Sequence, residues 1–277
     1  MKGALLQLTS SDNPAENRRR VLVDMEKAVG EGAEFVMTPE VTNCVSANRA
    51  YQQEVLRLEQ EDETLAVLRN AAAQYGIHLL IGSLALKTDD PDGRFANRSF
   101  LIGPDGEVMA RYDKIHMFDV QVSAEETYRE SAGYRPGTQA VIAQTPWGVL
   151  GMTICYDVRF PMLFQRLALA GATMITVPSA FSPVTGAAHW ESLLRARAIE
   201  TGCFVFAPAQ TGTHIATQGK QRRTYGHSMV ISPWGEVVLD AGTEAGIFTF
   251  EIDPDEVQKA RAKVPSLSHI REFNGPV

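Results

Sequence analysis

Short apolar runs rich in Val, Ile, Leu and Thr alternate with stretches of helical periodicity along the whole 277-residue chain. That alternation argues for an α/β layered protein. Residues 3–10 (GALLQLTS) read as a strand, and residues 14–30 as a helix opened by Asn13-Pro14, since proline's fixed φ suits the first helical turn. Residues 34–38 predict a strand, 62–75 a helix, and 77–83 a further strand. Residues 98–114 then predict a strand, a Pro104-Asp105-Gly106 turn and a return strand.

The second half repeats this order. VLGMTIC predicts a strand, 161–170 a helix, TMITVPS a strand, 189–201 a helix, CFVFAPA a strand, and HSMVISPWGEVVLDAG a hairpin. Gly32-Ala33 before the second strand of one half corresponds to Gly171-Ala172 in the other, and Pro104-Asp105-Gly106 to Pro233-Trp234-Gly235. No Ser- or Pro-rich linker separates the halves, so residues 1–253 are expected to form one domain, a pseudo-twofold pair of sheets. Residues 254–277 form a Pro-containing tail, and 87–95, 117–138 and 209–226 are the irregular stretches, of a length that often carries function.

Ligands of α/β sheets sit at the carboxyl ends of strands. Three chemically capable residues fall there: Glu40 after EFVMTP, Lys114 after EVMARYD, and Cys155 after VLGMTI. Cys155 can be a small buried hydrophobe. On a strand-to-helix turn, however, a thiol stands exposed near the positive helix end, which favours thiolate against a free pKa of about 8.5. Glu40 can charge a turn or serve as a general base, with partial burial raising its pKa. Lys114 can be solvated or stabilise an oxyanion, helped by the Tyr156 N–H.

Charge and composition narrow the classes. The chain has 33 acidic and 26 basic residues, a net charge of −7, which speaks against general nucleic-acid binding. No apolar run approaches the ~20 residues that cross a bilayer. The opening MKGALLQLTSSDN lacks the apolar core of a signal peptide. Three widely spaced cysteines, Cys44, Cys155 and Cys203, favour a reducing, cytoplasmic compartment. The six histidines show no H-x-x-x-H spacing and no Cys-x-x-Cys accompanies them, so no metal is expected. There is no G-x-S-x-G, G-x-G-x-x-G or Walker loop. His116, His189 and His227 remain possible partners for Cys155, with structural hydrogen bonding as the commoner fate.

FVMTPE, YDKIHMFDV and ICYDVRFP together resemble the nitrilase (carbon–nitrogen hydrolase) superfamily, over essentially the whole chain. The resemblance implies a four-layer α-β-β-α sandwich and a Glu40–Lys114–Cys155 triad with no cofactor. It also implies a second glutamate in the loop between the halves. Glu130 in YRESAGYRPG matches, although the residues alone do not separate it from Glu125 or Glu126. Residues 180–214 and 225–238 are similar to the Nit-type amidases, most of all the deaminated glutathione amidases, which release 2-oxoglutarate and cysteinylglycine in a repair reaction. The ω-amidases of 2-oxoglutaramate and 2-oxosuccinamate share much of this text. A nitrilase proper, an ammonia-channelling domain and a catalytically silent binding subunit are the other readings.

An anionic oxo-acid amide suits Arg159, which either meets a substrate carboxylate or ties down the turn by pairing with an acid. Phe181 and Thr185 are expected pocket walls, whereas Trp190, Leu193, Leu194 and Ala198 recur at helical spacing as core or subunit contact. Met162 departs from the acidic residue usual after RFP in the family. The resemblance further implies a homodimer or higher homo-oligomer, with the 254–277 tail crossing to a partner.

Overall fold

The Asn13 side chain accepts hydrogen bonds from the Ala15 and Glu16 N–H groups, and Pro14 fills the first helical position, so α1 (Pro14–Gly30) starts where the sequence places it. The computed structural model describes residues 1–122 and 127–275. In the first half, β1 (Lys2–Gln7), α1 and β2 (Phe35–Met37) lead through α2 (Arg49–Val55) to α3 (Glu63–Tyr75). β3 (His78–Leu86), β4 (Ala96–Ile102) and β5 (Val108–Asp113) follow. The short strands β6 (Asp119–Gln121) and β7 (Thr127–Arg129) then precede β8 (Val141–Thr145).

The second half runs β9 (Gly148–Met152), α4 (Pro161–Leu169), β10 (Met174–Thr176), α5 (Pro183–Thr201) and β11 (Phe204–Ala207). After the β12 (Thr211–His214) and β13 (Arg222–Tyr225) hairpin come β14 (Met229–Ile231) and β15 (Val237–Asp240). β16 (Gly246–Glu251) and α6 (Glu256–Lys263) close the fold.

The sheet orders are β16-β1-β2-β3-β4-β5 and β15-β14-β11-β10-β9-β8. In each, the first three strands of the half are parallel and the hairpin adds antiparallel. β8 stands beside β9 as β16 stands beside β1, both antiparallel. The landmark glycines match in backbone as well: Gly32 and Gly171 have φ of 89° and 104°, Gly106 and Gly235 of 77° and 87°.

Side chains from both sheets, among them Leu5, Phe35, Leu80, Leu150, Met174 and Phe206, share one buried core. α1 and α3 cover the outer face of the first sheet through Val21, Met25, Leu65 and Leu68. α4 and α5 cover the second through Phe164, Leu167, Trp190 and Leu194. The result is the four-layer α-β-β-α sandwich.

Several elements differ from expectation. α5 begins at Pro183 rather than 189, and Ala198 and Leu194 are core. β8 is a half-exposed edge strand, so its apolar signal is weak. α2 buries only Gln52 and carries no apolar stripe to betray it. Both long irregular stretches contain antiparallel strand pairs, β6 with β7 and β12 with β13. In the tail, α6 buries Val257 and Ala260.

Candidate active site

Glu40 stands just past the end of β2, in a turn that β3 crosses at close range. A Cβ on Gly82 would lie 2.0 Å from the Thr38 carbonyl oxygen, so only glycine lets the strands approach. The Gly82 N–H donates to Thr38 Oγ1 (3.0 Å), and the Val41 N–H donates to Ser83 Oγ (2.7 Å). Val41 takes a left-handed φ of 49°, costly for a β-branched residue. These contacts fix the Glu40 carboxylate, which is 4% exposed. Its Oε1 accepts from Lys114 Nζ (2.8 Å) and Asn97 Nδ2 (2.9 Å), and its Oε2 from the Ala180 N–H (2.8 Å).

Lys114 follows β5, anchored by its N–H to the Asn97 carbonyl and by its own carbonyl to the Gly137 N–H. Its Nζ lies 2.9 Å from each carboxylate oxygen of Glu130 as well. Glu130 Oε2 also accepts the Phe118 N–H (2.6 Å), and Asn97 Nδ2 reaches Glu130 Oε1 (3.3 Å). Burial opposes charge on Lys114, but Glu130 and Glu40 together hold its pKa well above 10.5. Burial likewise pushes Glu40 up, yet the Lys114 ammonium and Arg222 outweigh it and leave the carboxyl below 4.5.

Cys155 opens a 3₁₀ turn (Cys155–Arg159) that precedes α4. Its φ is 49°, its N–H donates to the Pro178 carbonyl (2.9 Å), and its side chain is buried. Asp157 holds the turn: Oδ2 accepts the Ile154 N–H (2.8 Å) and Tyr112 hydroxyl (2.7 Å), and Oδ1 the His116 N–H (3.0 Å). Burial and then the facing Glu40 carboxylate raise the thiol's pKa, with Lys114 opposing. The expected thiolate at a helix end, and the expected upward shift of Glu40, are therefore both reversed. A 3₁₀ turn separates the thiol from the start of α4, the thiol is desolvated, and the lysine sits on the carboxylate.

These groups meet at the floor of a cavity of about 380 Å³. The carbon-nitrogen hydrolase family profile matches residues 2–262. This chain belongs to the carbon-nitrogen hydrolase family. It is 40% identical over 269 residues to a deaminated glutathione amidase of Yersinia enterocolitica, covering 97% of this chain and 92% of the relative. Its fold matches the C. elegans NitFhit protein with a TM-score of 0.90 and 36% identity, over 98% of this chain but 65% of that one. It also matches Saccharomyces cerevisiae Nit3, a member of branch 10 of the nitrilase superfamily, with a TM-score of 0.82 and 30% identity over 96% and 94% of the two chains. The chain is thus a hydrolase of amide C–N bonds.

Within this carbon-nitrogen hydrolase, Glu40, Lys114, Cys155, Glu130, Tyr156 and Phe181 all line the cavity. Glu125 and Glu126 lie outside the described residues. Arg159 and Thr185 are not among the lining residues. Arg159 instead reaches His189 Nδ1 (3.3 Å) and lies against the Tyr156 and Phe181 rings, with no acid in its grip among the described residues. Thr185 sits in the first turn of α5, its Oγ1 buried without a partner among the described residues. His116 and His227 are engaged by Asp157 and Asp240. Met162, 65% exposed, leaves the first turn of α4 without an acid.

Sequence reasoning missed Asn97 and Arg222. Asn97 opens a run of three polar residues, Asn97-Arg98-Ser99, near the start of β4, and Arg222 lies in a stretch read as irregular. Neither carries a local signal, because both roles arise from contacts distant along the chain.

Proposed function

We propose that this carbon-nitrogen hydrolase cleaves the amide of deaminated glutathione, giving 2-oxoglutarate and cysteinylglycine through a thioester on Cys155. One arrangement carries the reading: a buried thiol, carboxylate and ammonium converging on a cavity of about 380 Å³. The 40% identity to the deaminated glutathione amidase of Yersinia enterocolitica supports the substrate. Glu40 takes the thiol proton as sulfur attacks the amide carbon. The oxyanion is met by Lys114 Nζ and the Tyr156 N–H, each such donor being worth roughly 3–4 kcal/mol. The amides flanking Tyr156 are already spent, on Pro178 and Ile154 carbonyls. Protonated Glu40 then passes its proton to the departing amine, and the thioester forms. Water, deprotonated by Glu40, adds to the thioester; collapse expels the sulfur, which recovers its proton from Glu40. Glu130 and Asn97 position Lys114 and Glu40 throughout.

The test is a side-by-side assay on deaminated glutathione and 2-oxoglutaramate. Both yield 2-oxoglutarate, and only the second releases ammonia. A higher kcat/KM on deaminated glutathione is expected. Preference for 2-oxoglutaramate would replace the substrate while keeping the mechanism.

The protein is further read as cytoplasmic, in keeping with three unpaired thiols, and as a homodimer or higher homo-oligomer.

A further inference from the structure

We propose that Gln210 is a positioning residue for the reaction: its side-chain amide, reaching across from the second half of the fold, holds the strained turn that aims the Glu40 carboxylate. This rests on reading Glu40 as the general base and deepens that reading. Ser10, Glu40 and Gln210 each stand three residues past a strand end, those of β1, β2 and β11. All three are buried, Gln210 completely. Gln210 Nε2 donates to the Glu40 carbonyl (3.1 Å) and to Ser10 Oγ (3.0 Å), and its Oε1 accepts the Ser10 N–H (3.1 Å). Both donors and the acceptor of the amide are thus spent on the two residues it joins. The Ser10 hydroxyl in turn donates to the Thr42 carbonyl (3.1 Å).

These bonds fall on either side of Val41, whose φ of 49° is unfavourable for a β-branched side chain. The carbonyls before and after it, those of Glu40 and Thr42, are both held by the Gln210–Ser10 pair. If that hold is lost, relaxation at Val41 rotates the flanking peptides and carries the Glu40 carboxylate away from Lys114 and the Ala180 N–H. The pair is itself fixed in place. The Gln210 N–H donates to the Ser179 carbonyl (2.8 Å), and its carbonyl accepts the Gly226 N–H (3.1 Å). Burial lowers the pKa of His214 to about 4, so at neutral pH its Nδ1–H donates to the Ser10 carbonyl (2.8 Å) and its Nε2 accepts from Thr224 Oγ1 (2.7 Å). Neither Gln210 nor Ser10 lines the cavity, so both act on the chemistry only through Glu40.

The experiment follows kcat and KM on deaminated glutathione, together with alkylation of Cys155 by iodoacetamide across pH, read at the Cys155 peptide by mass spectrometry. Alkylation needs the same base and no substrate. It uses the wild type, Gln210→Met, which keeps the side chain's bulk, Ser10→Ala, and Glu40→Gln as a control. Gln210→Met should lower kcat about 10- to 100-fold, the cost of a misplaced catalytic group. KM should stay within about twofold of the wild type, because no substrate contact is removed. Cys155 alkylation should slow by a similar factor. Burial raises the Glu40 pKa while the Lys114 and Arg222 charges lower it, so a carboxylate that drifts from those charges titrates higher. The acid limb of alkylation should therefore move to higher pH, a shift that a merely structural role would not produce. Ser10→Ala should show the same changes to a smaller degree, and it decides the matter if Gln210→Met does not fold. Wild-type alkylation and an unmoved acid limb in the folded variants would overturn the inference. Wild-type alkylation in Glu40→Gln would instead remove Glu40 as the base, and the role of Gln210 with it.

Discussion

In the proposed mechanism Cys155 cannot act alone at neutral pH. Its burial and the Glu40 carboxylate keep the sulfur protonated, so attack depends on a base that is already ionised. Glu40 meets that need because Lys114 and Arg222 overcome its burial and hold it below 4.5. A lowered pKa means the base stays competent until pH falls through that value. The acid limb of kcat/KM should therefore lie below 4.5, and Lys114, held above 10.5, should add no alkaline loss below that pH. A pH–rate profile with an acid limb near 6–7 would contradict this assignment. Cys155→Ala should lower turnover by at least about 1,000-fold with its thermal midpoint unchanged; near-normal activity would remove Cys155 from the mechanism. Glu40, Lys114 and Cys155 were legible because each closes a strand in an α/β repeat. Glu130 came only through family resemblance, and Arg222 not at all, since its meaning lies in contact with Ala180, 42 residues away.

Between β9 and α4 the chain makes the turn that carries the thiol, and the helix after it begins at Pro161, where the sequence places it. The structure inserts a 3₁₀ turn, kept in shape by Asp157 rather than by helix geometry. Asp157 is fully buried and draws the Ile154 amide, Tyr112 and His116 onto one carboxylate. Asn at this position offers an NH₂ group where one of those donors needs an acceptor. Asp157→Asn should therefore cost about 2–4 kcal/mol by urea unfolding and lower kcat as Cys155 loses its aim. A variant as stable as the wild type would show that the turn is held by other contacts. The same limit explains the missed elements. β8 and the two strand pairs are short, half-exposed or polar, so they carry little periodicity, whereas β3, buried along its whole length, was readable.

At the scale of the molecule, the repeat leaves two helical layers facing outward, and they are not alike. α4 exposes Met162 (65%) and Leu169 (56%), and α5 exposes Val184 and Ile199 (55% each). The 3₁₀ turn Ser266–His269 packs against both helices, and Phe273 beyond it is 91% exposed. Apolar side chains exposed in one layer and in the segment lying on it make a surface that water covers poorly. The pseudo-twofold core is complete within one chain, so the fold itself does not call for this surface. A second copy of the chain, presenting the same helices and tail across a twofold axis, would cover both patches at once. The expected species is then at least twice the 30.4 kDa chain by light scattering. Met162→Glu with Phe273→Glu should shift it towards a single chain, because each introduced carboxylate would have to be buried without a partner. A wild type that runs as one chain at micromolar concentration would rule this assembly out and leave the tail as a covering for its own helices.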